Sequence, residues 1–366
     1  MNTIQTIENI LKKEQFSREE LIVLLKANRK EVKAIFEKAN KIKHENVGRY
    51  TYFRGLIEFS NICGKNCLYC GIRKDNTTVE RYNLLDREIV EAAKFAHKNK
   101  YGSIVLQSGE LSSSAFTKRI TNLLKKINKE TNSELGITLS LGEQTKETYK
   151  EWQENNASRY LLRIESSDQT LYNKIHPNND LHSFDKRLNA LRTLQSMNYQ
   201  TGTGVMIGLP GQSYAQLADD LIFFKNFNID MVGMGPFIKH SETPMGKSKP
   251  QWTLDERFFL CLKMTALLRI TMKDINIAAA TALQAIDPAG REKAIKCGAN
   301  VIMPNITPTL NRTNYKLYEN KPCTDESADD CTNCMEARIQ IAGDEIGYGK
   351  KGDSKHYFKR IAEYSR

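Results

Sequence analysis

The sequence has no run of 18 or more consecutive apolar residues, which excludes a conventional membrane-spanning helix. Its N-terminal segment, MNTIQTIENILKKEQFSREELIVLLK, has neither a continuous apolar stretch nor a small-residue cleavage site, so no secretory signal is predicted. We therefore expect a cytoplasmic protein with no membrane partner. The 366 residues, of which 40% are hydrophobic and 27% charged, are typical of a globular protein with a substantial core.

Two nucleotide-binding motifs are also missing. No G-x-G-x-x-G follows the first predicted strand and no G-x-x-x-x-G-K-[ST] occurs, which argues against a dinucleotide-binding fold and against a P-loop. The net charge of +11 could suit an anionic partner, but lysines are spread along the predicted helices with Asp and Glu between them. The sequence therefore favours no nucleic-acid partner.

Short β-rich runs alternate with longer amphipathic runs after residue 50. This alternation predicts parallel βαβ units, and eight such strands are the number that closes a (β/α)8 TIM-type barrel. A doubly wound open sheet is the alternative. The predicted strands are 55–60, 103–109, 136–142, 159–165, 204–210, 231–237, 276–283 and 300–305.

Three regions are predicted from these patterns. Residues 1–50 form an N-terminal helical extension, and residues 51–305 form the α/β barrel. Residues 306–366 form an irregular C-terminal segment that closes the barrel, and we expect its Gly- and Lys-rich tail, AGDEIGYGKKGDSKHY, to lie on the surface.

Six of the eight cysteines fall into two clusters, a pattern that favours metal or redox chemistry over disulfides. Cys63, Cys67 and Cys70 form a C-x3-C-x2-C spacing directly after the first strand. Three thiolates would leave one iron of a [4Fe–4S] cluster open to bind a small molecule. The alternative is a zinc site completed by a distant His. The isolated Cys261 and Cys297 are predicted to be buried, and His176 and His182 to lie in a loop, either on the surface or in structural roles.

Polar side chains recur where the predicted strands end, which is where the active sites of such barrels lie. They include QSGE after the second strand, Ser140 and Glu143 after the third, and Arg163 and Glu165 on the fourth. The last two are two positions apart on one predicted strand, so both side chains should face the same side. They form either a ligand site or a structural ion pair that plugs the barrel.

The segment CGKNCLYC resembles the signature of the radical S-adenosylmethionine (SAM) family, with Tyr69 in the aromatic position, and QSGE resembles that family's Gly-Gly-Glu-type motif. Over residues 50–335 the chain resembles the [FeFe]-hydrogenase maturases of the HydE type. The resemblance implies a (β/α)8 barrel with a [4Fe–4S] cluster, whose open iron chelates SAM. The resemblance also implies an electron donor that drives the reductive cleavage of SAM, which yields a 5′-deoxyadenosyl radical. It further implies an iron carbonyl–cyanide–cysteine substrate made by the maturase HydG, and transfer of the product towards the maturase HydF.

The resemblance also implies residue roles. Cys63, Cys67 and Cys70 would ligate the [4Fe–4S] cluster, and Cys323, Cys331 and Cys334 an accessory [2Fe–2S] cluster, for which zinc binding or a labile thiol group is the alternative. Within the cofactor pocket, the Tyr69 backbone would contact adenine, Ser108, Gly109 and Glu110 the methionine moiety, Glu165 the ribose and Arg187 the SAM carboxylate, with Ser140 beside them. Arg163, Thr281, Met303 and Tyr315 would line the substrate cavity.

Other activities are compatible with the same motif. Methylornithine synthase is a close alternative, although the late cysteine triad favours the HydE type. Biotin synthase is disfavoured because the fourth strand ends in RIESS, without a cysteine. A non-catalytic iron–sulfur carrier would need no SAM pocket at the strand ends.

Overall fold

The computed structural model describes residues 3–325 and 328–364, with the side chains of residues 3, 328–334 and 364 outside this description. Strands and helices alternate along the chain, as the sequence predicts. The strands are β1 (Tyr50–Ser60), β2 (Ser103–Ser108), β3 (Gly136–Ser140), β4 (Arg159–Leu161), β5 (Gln200–Thr203), β6 (Met206–Ile207), β7 (Met231–Val232), β8 (Gly235–Pro236), β9 (Asn276–Ile277), β10 (Val301–Ile302) and β11 (Glu345–Ile346).

Fifteen α-helices accompany these strands in the described residues. They are α1 (Thr3–Leu11), α2 (Arg18–Lys26), α3 (Lys33–Asn46), α4 (Asp86–Lys98), α5 (Ser114–Glu130), α6 (Lys146–Glu154), α7 (Gln169–Ile175), α8 (Phe184–Ser196), α9 (Tyr214–Asn226), α10 (Leu254–Thr271), α11 (Thr281–Gln284), α12 (Gly290–Lys296), α13 (Thr309–Arg312), α14 (Ala328–Ile341) and α15 (Lys355–Tyr364). Across the described ranges, none of them has both the length and the apolar character needed to cross a membrane.

Eight parallel strands form the barrel wall. They pair in the order β10, β1, β2, β3, β4, β5, β7, β9, with Ile57 opposite Leu106 and Leu106 opposite Leu139. A parallel bridge between Ala278 and Val301 joins the two ends of this row, so the sheet closes on itself. The predicted TIM-type barrel is therefore confirmed, and it excludes the open-sheet alternative.

Three predicted strand positions are wrong. The seventh strand is Asn276–Ile277 rather than 276–283, because the chain turns into α11 at Thr281. The fourth strand ends at Leu161 rather than at residue 165, because its pairing with β5 ends at Leu161 and Gly202, and the backbone then turns sharply at Glu165, whose φ is +64°. The fifth barrel strand is Gln200–Thr203 rather than 204–210. A Cβ on Gly204 would lie 1.9 Å from the Gly233 carbonyl oxygen, so the two backbones pass close together at this point. Met206 and Ile207 then form β6, which pairs with β8 in a separate two-stranded sheet.

The three N-terminal helices pack against the outside of the barrel. Helices α2 and α3 contact α9 and α10, and α10 is buried along nearly its whole length between them and the barrel. Local signals set where helices begin: Ser17 with Glu20, and Thr253 with Glu256, form capping boxes at the start of α2 and α10. The helices predicted before residue 50 are therefore present and continuous with the core.

The C-terminal tail is only partly on the surface, contrary to expectation. Strand β11 pairs with β1, and the Gly352 carbonyl oxygen accepts hydrogen bonds from Arg54 Nη2 (3.2 Å) and Asn276 Nδ2 (2.8 Å). Asp353 forms an ion pair with Arg159, which is completely buried. Buried guanidinium groups at the amino-terminal end of the barrel need acceptors, and the tail supplies them.

Candidate active site

A cavity of about 300 Å³ opens at the carboxyl-terminal end of the barrel. Fifteen of the seventeen site residues predicted from the sequence line it, although what each one does remains a prediction. These residues are Cys63, Cys67, Tyr69, Cys70, Ser108, Gly109, Glu110, Ser140, Arg163, Glu165, Arg187, Thr281, Met303, Tyr315 and Cys323.

The first cysteine loop is held by its backbone. The Cys63 sulfur accepts hydrogen bonds from the amides of Lys65 (3.4 Å) and Glu110 (3.3 Å). Burial raises the pKa of the Cys63 thiol, raises that of Cys67 to about 12 and raises that of Cys70 well above its ordinary value. Thiols in such surroundings become thiolates when a positively charged metal centre binds them.

The donor set fits an iron–sulfur cluster better than a single ion. Among the described side chains, those of residues 4–325 and 335–363, no three from His, Cys, Asp or Glu are arranged to hold one metal ion. In a [4Fe–4S] cluster each thiolate binds a different iron, so the three sulfurs need not converge on one point. Cys63, Cys67 and Cys70 nevertheless share one cavity and influence one another's charge. The zinc alternative finds no support in this geometry.

Gly109 explains why QSGE packs directly against the cysteine loop. A Cβ at this position would lie 2.3 Å from the Ile62 carbonyl oxygen and 2.7 Å from Cys63 Cβ, so only glycine fits. The Gly64 amide donates to the Glu110 carbonyl oxygen at 2.9 Å. Gly142 has a φ of +78°, and a Cβ there would lie 2.5 Å from the Glu110 side chain. Gly109 thus lets QSGE approach the cysteine loop, and Gly142 leaves room for the Glu110 side chain.

Two carboxylates and two cationic side chains form a network of ion pairs beside the thiols. Arg187 Nη2 lies 3.0 Å from Glu110 Oε1, and Arg187 Nε lies 2.9 Å from Glu143 Oε1. Lys65 Nζ lies 2.6 Å from Glu143 Oε2. Burial alone would lower the pKa of Arg187, but Glu110 and Glu143 raise it well above its ordinary value.

This network suits a zwitterionic amino acid, because a bound ammonium group could pair with Glu110 and a bound carboxylate with Arg187. Arg187 Nε and Glu143 Oε1 are close but have no aligned hydrogen-bond partner in the described structure. Sequence reasoning missed Lys65 as a site residue and noted Glu143 only as a strand-end residue. Their positions, inside the cysteine motif and after the third strand, were the available signals.

Arg163 and Glu165 do form an ion pair, with Nη2 2.9 Å from Oε2. Strand alternation does not bring them together, contrary to the prediction, because β4 ends at Leu161. The Ser166 amide instead donates to the Ile164 carbonyl oxygen (2.8 Å) across Glu165, which forms a γ-turn with positive φ. Arg163 is about one-third exposed and lines the cavity, so the pair does not plug the barrel. Ile164, between them, is buried in the core.

The Tyr69 side chain packs against His176, whose ring in turn packs against Tyr172. The Tyr69 hydroxyl lies 3.4 Å from His176 Nε2, and the His176 ring stacks on Tyr172 with centroids 4.1 Å apart. His182 Nε2 accepts a hydrogen bond from the Asn66 amide at 2.8 Å. Both histidines are therefore buried and structural rather than on the surface. Burial lowers the pKa of His176 to about 3, so its ring is neutral.

The cavity lining also contains a buried ion pair between Lys321 and Glu58. Lys321 Nζ contacts the Glu58 carboxylate and donates to the Tyr315 carbonyl oxygen at 2.9 Å. Asn305 Nδ2 donates to Glu58 Oε2 at 3.1 Å, and Gln107 Nε2 donates to the Tyr315 hydroxyl at 3.2 Å. Sequence reasoning did not single out Glu58 or Lys321, since neither belongs to a motif.

The second cysteine cluster is only partly described. Cys323 is buried, has a φ of +61° and lines the main cavity, where its sulfur accepts a hydrogen bond from Arg291 Nη2 at 3.7 Å. Cys331 and Cys334 belong to α14, but their side chains lie outside the described residues. The accessory [2Fe–2S] cluster therefore stays a prediction.

Comparisons with known proteins place this geometry in a family. Residues 57–224 match the Radical SAM superfamily. The chain is 44% identical over 338 residues to the [FeFe] hydrogenase maturase subunit HydE of Thermotoga maritima, which covers 92% of this chain and 94% of the relative. It is 26% identical over 314 residues to 3-methylornithine synthase of Methanosarcina acetivorans, over 84% and 85% of the two chains.

The fold is shared with a solved structure as well. The crystal structure of a methylornithine synthase has a TM-score of 0.78 at 22% identity and covers 94% of this chain and 97% of that one. A likeness at this identity establishes the barrel, whereas the 44% relative establishes the family. The chain therefore belongs to the radical SAM superfamily of enzymes and, within it, to the family of the [FeFe] hydrogenase maturase subunit HydE.

Proposed function

We propose that this enzyme acts in building the active-site cluster of [FeFe] hydrogenase, on an iron carbonyl–cyanide–cysteine complex that binds in the barrel. The observation that carries the proposal is the composition of the cavity. One cavity is lined by three thiols, by a charge network suited to an amino acid, and by further side chains that include Tyr315, Thr281 and Met303. A carrier of iron–sulfur clusters would not need the second and third of these features.

The cofactors in this proposal are a [4Fe–4S] cluster on Cys63, Cys67 and Cys70, with SAM beside it. Once reduced by the electron donor, the bound cluster would supply one electron to the sulfonium of SAM, which would cleave into methionine and a 5′-deoxyadenosyl radical. The residues of the chain bind and orient SAM. Glu110 pairs with the SAM ammonium group, Arg187 holds its carboxylate, and Glu165 accepts from the ribose hydroxyls.

Arg163 gives the substrate side of the cavity a cationic group. Its guanidinium is a fixed fork of donors, which suits an anionic cyanide-bearing complex. Its ion-pair partner Glu165 lines the same cavity, so in this proposal one residue pair joins a SAM-binding group to a substrate-binding group. Burial raises the pKa of Glu165, and the Arg163 charge opposes that effect.

The partners in this proposal follow from the family. HydG would supply the iron complex, HydF would receive the product, and a cytoplasmic electron donor would reduce the cluster. A mononuclear complex that carries cysteine presents both soft ligands and an amino-acid group. The mixed apolar and charged lining of the cavity is compatible with both.

Anaerobic reconstitution with iron and sulfide, followed by EPR of the reduced protein with and without SAM, tests the cofactor assignment. We expect a [4Fe–4S] signal that shifts when SAM is added. The SAM-bound protein is then supplied with the iron carbonyl–cyanide–cysteine complex. Consumption of this complex and formation of 5′-deoxyadenosine are measured together. An unshifted signal would contradict the SAM site. A shift without consumption would contradict the substrate and favour another activity, such as that of methylornithine synthase.

A further inference from the structure

Asp220 is a fully buried acid that none of the roles above uses. It lies on α9, away from the cavity lining, and is surrounded by core residues of the same helix such as Leu217 and Leu221. Its Oδ1 accepts two hydrogen bonds, and its Oδ2 has no hydrogen-bond partner in the described structure. Burying a carboxyl group with one oxygen atom lacking a hydrogen bond lowers the free energy of unfolding, so we expect this residue to have a role that offsets the cost.

Both hydrogen bonds to Asp220 come from Ser167. The Ser167 amide donates at 2.8 Å and the Ser167 hydroxyl at 2.6 Å, both to Oδ1. Ser167 is two residues after Glu165, whose γ-turn has a φ of +64°. Such a turn is strained for a residue other than glycine and persists only where its surroundings hold it. Asp220 therefore binds the chain two residues after the strained Glu165.

The turn is also held on its other side. The Glu165 amide donates to the Gly204 carbonyl oxygen, and the Met206 amide donates to the Glu165 carbonyl oxygen, each at 2.9 Å. These two bonds fix the backbone of Glu165 against the neighbouring chain segment. The bonds from Ser167 to Asp220 fix the backbone on the C-terminal side of the turn, so the direction of the Glu165 side chain depends on both sets of bonds.

Ser167, which is bound to Asp220, also lies next to the start of α7. Asp168, the residue after Ser167, caps this helix by accepting from the Leu171 amide at 2.7 Å. Helix α7 carries Tyr172, and His176 directly follows it as the ring that contacts Tyr69. The Leu68 amide donates to the Ile175 carbonyl oxygen at 3.0 Å, so α7 also touches the cysteine loop.

We propose that Asp220 is a positioning residue for SAM, which acts through Ser167 to aim Glu165 at the ribose and to place α7 behind Tyr69. The inference rests on the proposed function, because it takes SAM as the ligand of Glu165 and Tyr69. Asp220 does not touch the cavity itself. Its effect is therefore on the affinity and the ribose selectivity of the site.

The test measures equilibrium binding of SAM and of its 2′-deoxyribose analogue to the anaerobically reconstituted enzyme. The variants are Asp220→Ala, Asp220→Asn and Ser167→Ala, and Asp219→Asn is the matched control. Asp219 is the neighbouring acid, but it is exposed and pairs with Arg18 on the surface. Cluster content and thermal stability are recorded for every variant.

We expect Asp220→Ala to weaken SAM binding by about tenfold, the loss typical of one misplaced hydrogen bond to a carboxylate, with cluster content unchanged. The wild-type protein should discriminate against the 2′-deoxy analogue, and Asp220→Ala should lose that discrimination. Ser167→Ala, which keeps the amide bond, should show a smaller loss of both. Asp220→Asn can keep both bonds through its amide oxygen and should restore discrimination.

Other outcomes separate the positioning role from the proposed function. If the wild-type protein does not bind SAM, the proposed function fails. If it binds SAM and Asp220→Ala lowers only thermal stability, with affinity and ribose discrimination retained, the positioning role is overturned. If Asp220→Ala does not fold, Ser167→Ala decides, and wild-type discrimination in that variant would contradict the inference.

Discussion

Lys321 Nζ lies 2.6 Å from both carboxylate oxygens of Glu58, in an ion pair almost fully enclosed by the barrel. Replacing Lys321 with Ala would leave the Glu58 charge buried, with Asn305 as its one remaining side-chain donor among the described residues. We expect this to destabilise the protein by roughly 3–5 kcal/mol, the usual effect of breaking a buried pair. Urea unfolding of the apo-protein measures the change.

An exposed ion pair provides the control for this prediction. Lys33 and Glu37 are 3.7 Å apart on the surface of α3, and Lys33→Ala should change stability by less than about 1 kcal/mol. The double variant Glu58→Gln with Lys321→Met should recover much of the lost stability, because it removes both charges. Equal effects of Lys321→Ala and Lys33→Ala would contradict the enclosed character of the pair.

Cys67→Ala should give a folded barrel that cannot cleave SAM. The thiol is buried in the cavity and is one of the three proposed cluster ligands, so its loss should abolish the [4Fe–4S] signal and reduce 5′-deoxyadenosine formation to background. Cys297→Ala is the control, since this buried thiol lies outside the cavity lining. Retained SAM cleavage by the Cys67 variant would refute the cluster assignment.

Arg187→Lys tests the carboxylate site. Lysine keeps the charge but loses the planar fork that lies between Glu110 and Glu143. We expect the dissociation constant of SAM to rise about tenfold, equivalent to ~1.4 kcal/mol, with cluster content unchanged. Arg192→Lys, an exposed change on the same helix, should have no effect. Equal SAM affinity in both variants would argue against Arg187 as the carboxylate ligand.

Asp220 should also give the stability of the protein a pH dependence. Burial raises its pKa from 3.8 to about 7, with smaller contributions from Asp219 and Asp168 in the same direction, while Ser167 opposes the rise. Between these two values the folded protein holds a proton that the unfolded chain has lost. The stability gained from this proton is greatest below the unfolded pKa and is lost as the pH rises towards 7.

Asp220→Asn, which does not titrate, should lack this component. We expect the thermal midpoint of the wild-type protein to fall relative to that of Asp220→Asn as the pH rises from about 5 to about 7.5. Calorimetry of the apo-protein measures both midpoints. The Asp219→Asn variant should follow the wild-type curve. A constant difference across this range would mean that Asp220 titrates at its ordinary pKa.

The two late cysteines are expected to be dispensable for SAM chemistry. The combined change Cys331→Ser and Cys334→Ser should lower the iron content, because it removes the predicted accessory cluster, and should spare SAM cleavage per [4Fe–4S] cluster. Iron and sulfide analysis together with 5′-deoxyadenosine formation measures this. Loss of both would show that the second cluster supports the main site. Unchanged iron content would indicate that no accessory cluster binds.

Much of the site was accessible from local sequence patterns. The alternation of strand and helix predicted the barrel, and a TIM-type barrel places strand ends together whatever the loops contain. The cysteine spacing and QSGE lie at two such ends, so their meeting in one cavity follows from topology. Glu165 shows the limit of such patterns, because the predicted strand runs through a residue at which the backbone turns.

The sequence by itself determined the fold class, the family and the thiols that face the cavity, because these depend on short-range periodicity and on motif spacing. Only the tertiary structure decided which charges meet. Lys65 pairs with Glu143 across 78 positions, and Lys321 pairs with Glu58 across 263. Such partners carry no local signal, since their contact arises from barrel closure and from the path of the C-terminal segment. Asp220 is likewise indistinguishable from Asp219 until the packing of α9 buries one acid and exposes the other.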